Sequence, residues 1–275
     1  MSILGALILG IIQGLTEFLP VSSSGHLVIF QRFLTVDKPL QMFFDVTVHL
    51  GTLLAIIIFF FKDVKNLSLI FLRNLIMPFR WKQAFLSEPG FRLIVFLFTS
   101  TMITGVVGVC FKNRLEIMFD KPEFVAVNLI FTGLILLVSE RISIKSGNKV
   151  LEKLTFKCAL IIGAVQSVAL MPGISRSGIT IAGALMLGFV QKDAARYSFL
   201  LAIPAIAGAF LLELKDIIES GFNSQWLLPV AVGFVCSAIA GVAAIKLILL
   251  VLKEKKLFLF AIYCWILSTA IFLFL

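Results

Sequence analysis

Residues 13 to 26 read Gln-Gly-Leu-Thr-Glu-Phe-Leu-Pro-Val-Ser-Ser-Ser-Gly-His and hold most of the reactive groups of the first half of the chain. Gln13, Thr16 and Glu17 stand at i, i+3 and i+4, so a helix presents them on one face. Pro20 then stops that helix, because it lacks an N–H and disfavours helical backbone in the residue before it. Three hydroxyls follow (Ser22, Ser23, Ser24), then Gly25 and His26, with apolar sequence on either side. A carboxylate, hydroxyls and an imidazole are costly to keep in such surroundings. Together they supply a nucleophile, a base and an acid within reach of one another.

The motif has an echo about 153 residues later. Gly163-x-x-Gln166 and Ser175-x-Ser177-Gly178 repeat Gly10-x-x-Gln13 and Ser22-x-Ser24-Gly25, while Pro20 and Pro172 match with a one-residue slip. Arg176 replaces Ser23, and Ile179 replaces His26. An arginine at the centre of a bilayer costs about 2.5–3.5 kcal/mol on insertion scales, so Arg176 marks function. Its planar fork suits phosphate. The hydroxyls of Ser22, Ser24, Ser175, Ser177 and Thr180 either cap helices or donate to phosphate oxygens. Three roles are open for Glu17. It ligates Mg²⁺ or Ca²⁺ together with Gln13, acts as a general base, or pairs with Arg176.

The elements that must position these groups follow from composition. With 60% hydrophobic residues and a mean hydropathy of +1.08, the 275-residue chain is a polytopic membrane protein and not a soluble domain. Six spans are expected near 41–61, 92–111, 123–140, 194–213, 226–248 and 257–275. Two shorter apolar pairs flank the motifs, 3–19 with 24–34 and 157–171 with 177–190. Their second arms reach only about 17–21 Å at 1.5 Å per residue, short of a hydrocarbon core of about 30 Å. The expectation is an all-α fold with two re-entrant helical hairpins, the alternative being that 3–19 is an ordinary span. The apolar N-terminus has no basic region or cleavage site, so it is not read as a signal peptide. The four cysteines are scattered singly, without metal-ligand spacing, and read as packing residues.

A net charge of +9 does not point to nucleic acid, because the basic residues lie in loops between spans. One side carries Lys62, Lys65, Arg73, Arg80, Lys82 and Arg92, then Arg141, Lys145, Lys149, Lys153 and Lys157, then Lys192, Arg196, Lys253, Lys255 and Lys256. The other holds Arg32, Lys38, Lys112, Arg114, Lys121 and Lys215. The richer side is expected to be cytoplasmic, with both termini outside. Each half, 1–140 and 157–275, is one hairpin plus three spans within a single membrane domain. An odd number of crossings makes the second copy inverted. Asp45 and Ser198 keep the same offset as the motifs. Residues 62–91 read as a surface segment with interfacial amphipathic helix. The stripe Gln41, Asp45, His49 reads as support or packing.

Hydroxyl, imidazole, carboxylate and guanidinium groups, with helix N-termini aimed at an anion, suit phosphoryl transfer on an isoprenoid or lipid phosphate. The sequence also resembles the bacterial undecaprenyl-diphosphate phosphatases, the membrane family linked to bacitracin resistance. The likeness rests on Gln13 to His26, on Pro172-Gly-Ile-Ser-Arg-Ser-Gly-Ile-Thr180, on Phe44-Asp-Val…His-Leu-Gly-Thr52 and on Ser198-Phe-Leu-Leu-Ala-Ile-Pro204. It implies hydrolysis of undecaprenyl diphosphate for cell-wall synthesis, a site open to the outer face of the bacterial plasma membrane, and stimulation by a divalent cation. It further implies Glu17, Ser23, His26 and Arg176 as catalytic groups, with Ser23 and His26 as nucleophile and partner. Gln13 falls where the family carries Glu or Gln, which leaves Glu17 as the single carboxylate there. Whether Ser23, His26 or water attacks phosphorus stays open. The expected partners are a polyprenyl diphosphate and membrane lipids, with a homodimer left open. The rival reading is a transporter or flippase of a lipid phosphate, since inverted repeats with half-helices are transporter architecture.

Overall fold

The computed structural model describes residues 1–34, 38–219 and 223–275, without the side chains of 38, 39, 143–146 and 215–219. Lys38, Lys145 and Lys215 of the charge count thus lie outside the described side chains. The helices are α1 (Ile3–Phe18), α2 (Ser23–Arg32), α3 (Lys38–Phe59), α4 (Phe61–Ile76), α5 (Trp81–Ser87), α6 (Pro89–Phe119), α7 (Pro122–Ser146), α8 (Phe156–Val168), α9 (Arg176–Met186), α10 (Gln191–Glu219), α11 (Leu227–Lys253) and α12 (Phe258–Phe274). Among the described residues five are long and apolar enough to cross a bilayer, lying in α3, α6, α7, α10 and α11. The sixth expected span is α12, whose 17 residues meet the lower limit of about 17 for a crossing. The protein is an all-α, multi-pass membrane protein.

Both short pairs fold as helix–break–helix units whose arms pack on each other, α1 on α2 and α8 on α9. Ser22 caps α2 and Ser175 caps α9, each hydroxyl oxygen accepting from the glycine amide three residues on, at 3.2 and 3.0 Å. Segment 61–87 is the α4–α5 pair with a 3-10 turn between. Asp63 ties it to α10 by accepting two bonds from Arg196, at 2.6 and 3.0 Å.

The seating of each hairpin depends on small residues. On α1, Gly10 and Gly14 stand one turn apart and meet Gly233, Ser237 and Gly241 of α11. A Cβ at Gly14 would lie 2.5 Å from the Ser237 carbonyl oxygen, and one at Gly10 would lie 2.6 Å from that of Gly233. Such stripes let membrane helices approach backbone to backbone. Gly163 brings α8 equally close to Ser100 of α6. Numbering rises together in both pairs, Gly10 with Gly233 and Gly14 with Gly241, and Ala159 with Ser100 and Gln166 with Thr104, so α1 runs parallel to α11 and α8 parallel to α6. From α6 the chain reverses through α7, α10 and α11, so α6 and α11 run opposite ways. The two hairpins therefore enter the bundle from opposite ends, each against a span of the other half.

Among the described residues three buried apolar clusters pack the helices together. The largest joins Phe18 to Ile162, Ile181, Phe199 and Ile245. A second gathers Leu9, Leu27, Phe44 and Val230. The third includes Val21, Val125, Leu129 and Cys264. All four cysteines are free.

Gly14→Leu is expected to force α1 off α11. Overpacking of this kind costs about 1–3 kcal/mol, read as a lower midpoint of thermal unfolding in detergent. Gly105→Leu, where a Cβ meets nothing within 4 Å, leaves the midpoint unchanged.

Candidate active site

The break after α1 and the break before α9 abut. A Cβ at Gly25 would lie 3.3 Å from the Cα of Gly173, and one at Gly178 would lie 3.1 Å from the Pro20 Cβ. The Ser177 hydroxyl donates to the Leu19 carbonyl across the join at 3.3 Å. Helix α7 supports the second turn from behind. Asn128 donates to the Pro172 carbonyl at 2.7 Å, and Thr132 donates to that of Gly173 at 2.9 Å. Gly173 has φ +94° and no room for a Cβ, which would fall 2.5 Å from the Val125 carbonyl oxygen. Only glycine fits there.

Glu17 is the hub. Its Oε1 accepts from the Arg176 guanidinium, which joins the two hairpins in an ion pair. Its Oε2 accepts from Ser23 Oγ at 2.6 Å and from Gln13 Nε2 at 3.0 Å. The His49 Nε2 stands 3.7 Å from the same oxygen. Gln13 and Glu17 are buried, whereas Ser23, Ser24, Arg176 and His49 are half-buried and line the approach. Among the described residues two polar atoms here are buried without a partner, Arg176 Nη1 and Gln13 Oε1. The amides of Ser23 and Ser24, and of Arg176 and Ser177, open their helices and take no acceptor among the described residues. Free N-terminal amides with a guanidinium make an anion site.

The sequence matches the family model described as bacitracin resistance protein BacA over residues 6–270. It is 42% identical to the undecaprenyl-diphosphatase of Methanobrevibacter smithii, covering 99% of this chain and 98% of that one. Identity to the undecaprenyl-diphosphatase of Halothermothrix orenii is 40%, with 98% and 97% covered. That of Carboxydothermus hydrogenoformans is 41% identical, with 97% and 95% covered. The chain belongs to the BacA family.

In this BacA-family site the expected groups separate into two sets. Glu17, Gln13, Ser23 and Arg176 meet at one point. Ser22 and Ser175 are helix caps, each also 3.2–3.4 Å from the hydroxyl two residues on, Ser24 and Ser177. Thr180 turns away from the approach, toward the Arg176 carbonyl at 2.8 Å and the Ser198 hydroxyl at 2.6 Å. His26 is buried, with Nδ1 2.7 Å from the Ser22 carbonyl oxygen and Nε2 2.8 Å from the Tyr263 hydroxyl. Neither ring nitrogen meets Ser23.

Sequence reasoning underweighted His49 and missed Tyr263. His49 belongs to the stripe already noted. Its Nδ1 lies 2.7 Å from the Asp45 carbonyl oxygen, which turns Nε2 toward Glu17. Gln31 links Asp45 to Gln41 at 2.5 and 2.7 Å, so the whole stripe supports that imidazole. For Tyr263 the available signal was rarity, two tyrosines against 28 phenylalanines.

The oxygens here that would hold a divalent cation are those of Glu17 and the unpartnered Oε1 of Gln13. Mg²⁺ is commonly held by one or two carboxylates together with waters and substrate phosphates. Here one carboxylate has both oxygens engaged, one of them by a guanidinium. Among the described residues no cluster of three His, Cys, Asp or Glu groups exists.

Breaking a buried ion pair from one side leaves the other charge uncompensated. Glu17→Gln is therefore expected to lower stability by about 3 kcal/mol, at the low end for such pairs. Glu17→Gln combined with Arg176→Gln recovers much of that loss, measured as thermal midpoints of the two purified variants.

Proposed function

We propose that this protein hydrolyses undecaprenyl diphosphate to undecaprenyl phosphate and inorganic phosphate, the activity named for its relatives. The observation that carries the reading is Arg176, paired with Glu17 through one nitrogen and buried without a partner at Nη1. A terminal phosphate supplies the missing acceptor. The amides of Ser23, Ser24, Arg176 and Ser177 donate to its remaining oxygens. Such preorganised donors stabilise the charge that spreads over the transferring group.

The same event prepares the nucleophile. As Arg176 turns to phosphate, Glu17 loses its cation and keeps its bond from Ser23 Oγ. That hydrogen bond, at 2.6 Å, is the geometry of a nucleophile and its base. Ser23 Oγ bonds to the terminal phosphorus, its proton passes to Glu17, and the P–O bond to undecaprenyl phosphate breaks. Water then cleaves the phosphoserine, releasing inorganic phosphate and restoring the hydroxyl. His49 neighbours Glu17 and steadies its charge.

Several further readings belong with this one. The halves 1–140 and 157–275 are inverted copies, a view supported by the exchanged packing of their hairpins. The side richer in lysine and arginine faces the cytoplasm of a bacterial plasma membrane, so the site opens outward. A divalent cation arrives bound to the diphosphate, as part of the substrate.

The test is phosphate release from undecaprenyl diphosphate by the purified protein in detergent. Wild type is expected to turn over. Arg176→Ala is expected to fall about a thousandfold or more, as for other arginines that clamp a transferring phosphoryl group. Ser23→Ala loses release as well. Full activity in Ser23→Ala would transfer the attack to water, and no release from wild type would remove the phosphatase reading.

A further inference from the structure

The two hairpin tips differ in the backbone of their capping serines. In the second, Ser175 caps α9 with ordinary extended backbone, φ −76° and ψ 116°. In the first, Ser22 caps α2 with φ 70° and ψ 96°, a conformation that L residues other than glycine rarely adopt. Backbone of this kind persists only where its surroundings over-determine it. The Ser175 carbonyl takes one bond, from the Ile179 amide at 2.8 Å. The Ser22 carbonyl takes two, both from His26, through its amide at 3.2 Å and its Nδ1 at 2.7 Å. The imidazole thus stands where the cap is strained, and isoleucine where it is relaxed.

A carbonyl oxygen only accepts, so Nδ1 carries the hydrogen. In the neutral ring Nε2 is then left with a lone pair, which accepts from the Tyr263 hydroxyl at 2.8 Å. The tyrosine and imidazole planes lie within 4° of each other, and Phe30 covers the imidazole at 9°. The Ser22 carbonyl therefore fixes the tautomer of His26, and Tyr263 on α12 fixes the orientation of its ring.

We propose that Tyr263 and His26 are a positioning pair: Tyr263 holds the His26 ring in place, and His26, through Nδ1–H, holds the strained Ser22 peptide so that Ser23 points at Glu17. The proposal rests on the phosphatase reading for its kinetic arm. It assigns His26 a backbone-binding role and excludes it as the attacking atom.

The experiment combines kinetics with ¹⁵N-histidine NMR of the full chain in detergent, where only two histidines contribute. Wild-type His26 is expected to show a protonated Nδ1 and an unprotonated Nε2. Tyr263→Phe keeps the ring, and is expected to shift the His26 resonances while leaving those of His49. Its kcat falls about three- to tenfold, the scale of one hydrogen bond, with KM and thermal midpoint unchanged. His26→Asn places an amide donor where Nδ1 stood, and is expected to retain at least tenfold more kcat than His26→Ala, a margin on the same scale. A protonated Nε2 in wild type, an unmoved kcat in Tyr263→Phe, or a folded His26→Asn as inactive as His26→Ala would each overturn the pair. The NMR arm needs no substrate, so its outcome stands apart from failure of the phosphatase reading.

Discussion

The ion pair between Glu17 and Arg176 is the constraint on which the rest of the structure depends. Each charge taken from water costs several kcal/mol even after relaxation, and only good geometry with further hydrogen bonds offsets it. Neither hairpin supplies both members, so neither is electrostatically complete alone. Ser23 and Gln13 satisfy the remaining carboxylate oxygen. The pair therefore decides how close the two tips must come. It also leaves one guanidinium nitrogen buried without a partner among the described residues.

Backbone broken within a membrane bundle must find partners in protein, because hydrocarbon offers none. The two tips solve this differently. The second leans on α7, where Asn128 and Thr132 take the Pro172 and Gly173 carbonyls, and it spends its left-handed residue on glycine. The first tip spends its left-handed residue on a serine and leans on the imidazole that follows. The two tips thus differ by more than Ser23 against Arg176, and the left-handed serine stands in the turn that carries the Ser23 hydroxyl.

Much of this was legible in the residues. Pro20 and Pro172 end helices for reasons of covalent structure, and the short second arms limit how far α2 and α9 reach. The echo of Gly-x-x-Gln and Ser-x-Ser-Gly marked both tips. An arginine in apolar sequence announced its own importance. What stayed hidden were contacts across the chain. His26 stands three residues after Ser23, and sequence proximity suggested a dyad, but one helical turn carries its ring to the Ser22 carbonyl instead. Tyr263 lies 237 positions away, and no local pattern distinguishes it within α12. The Gly10–Gly14 stripe was visible, yet its partner on α11 is fixed only by how the halves interlock.

That interlock bears on biosynthesis. Helix α1 is made well before its close neighbour α11, which starts some 200 residues later, at Leu227. Until then the glycine face of the nascent segment has only lipid or the insertion machinery beside it. Long-range closure of this kind slows folding, because the entropy of the intervening loop must be overcome first. Docking of α1 against α11 is therefore a late event, and a ribosome that stops before the eleventh helix leaves a chain whose Gly10–Gly14 face is still uncovered.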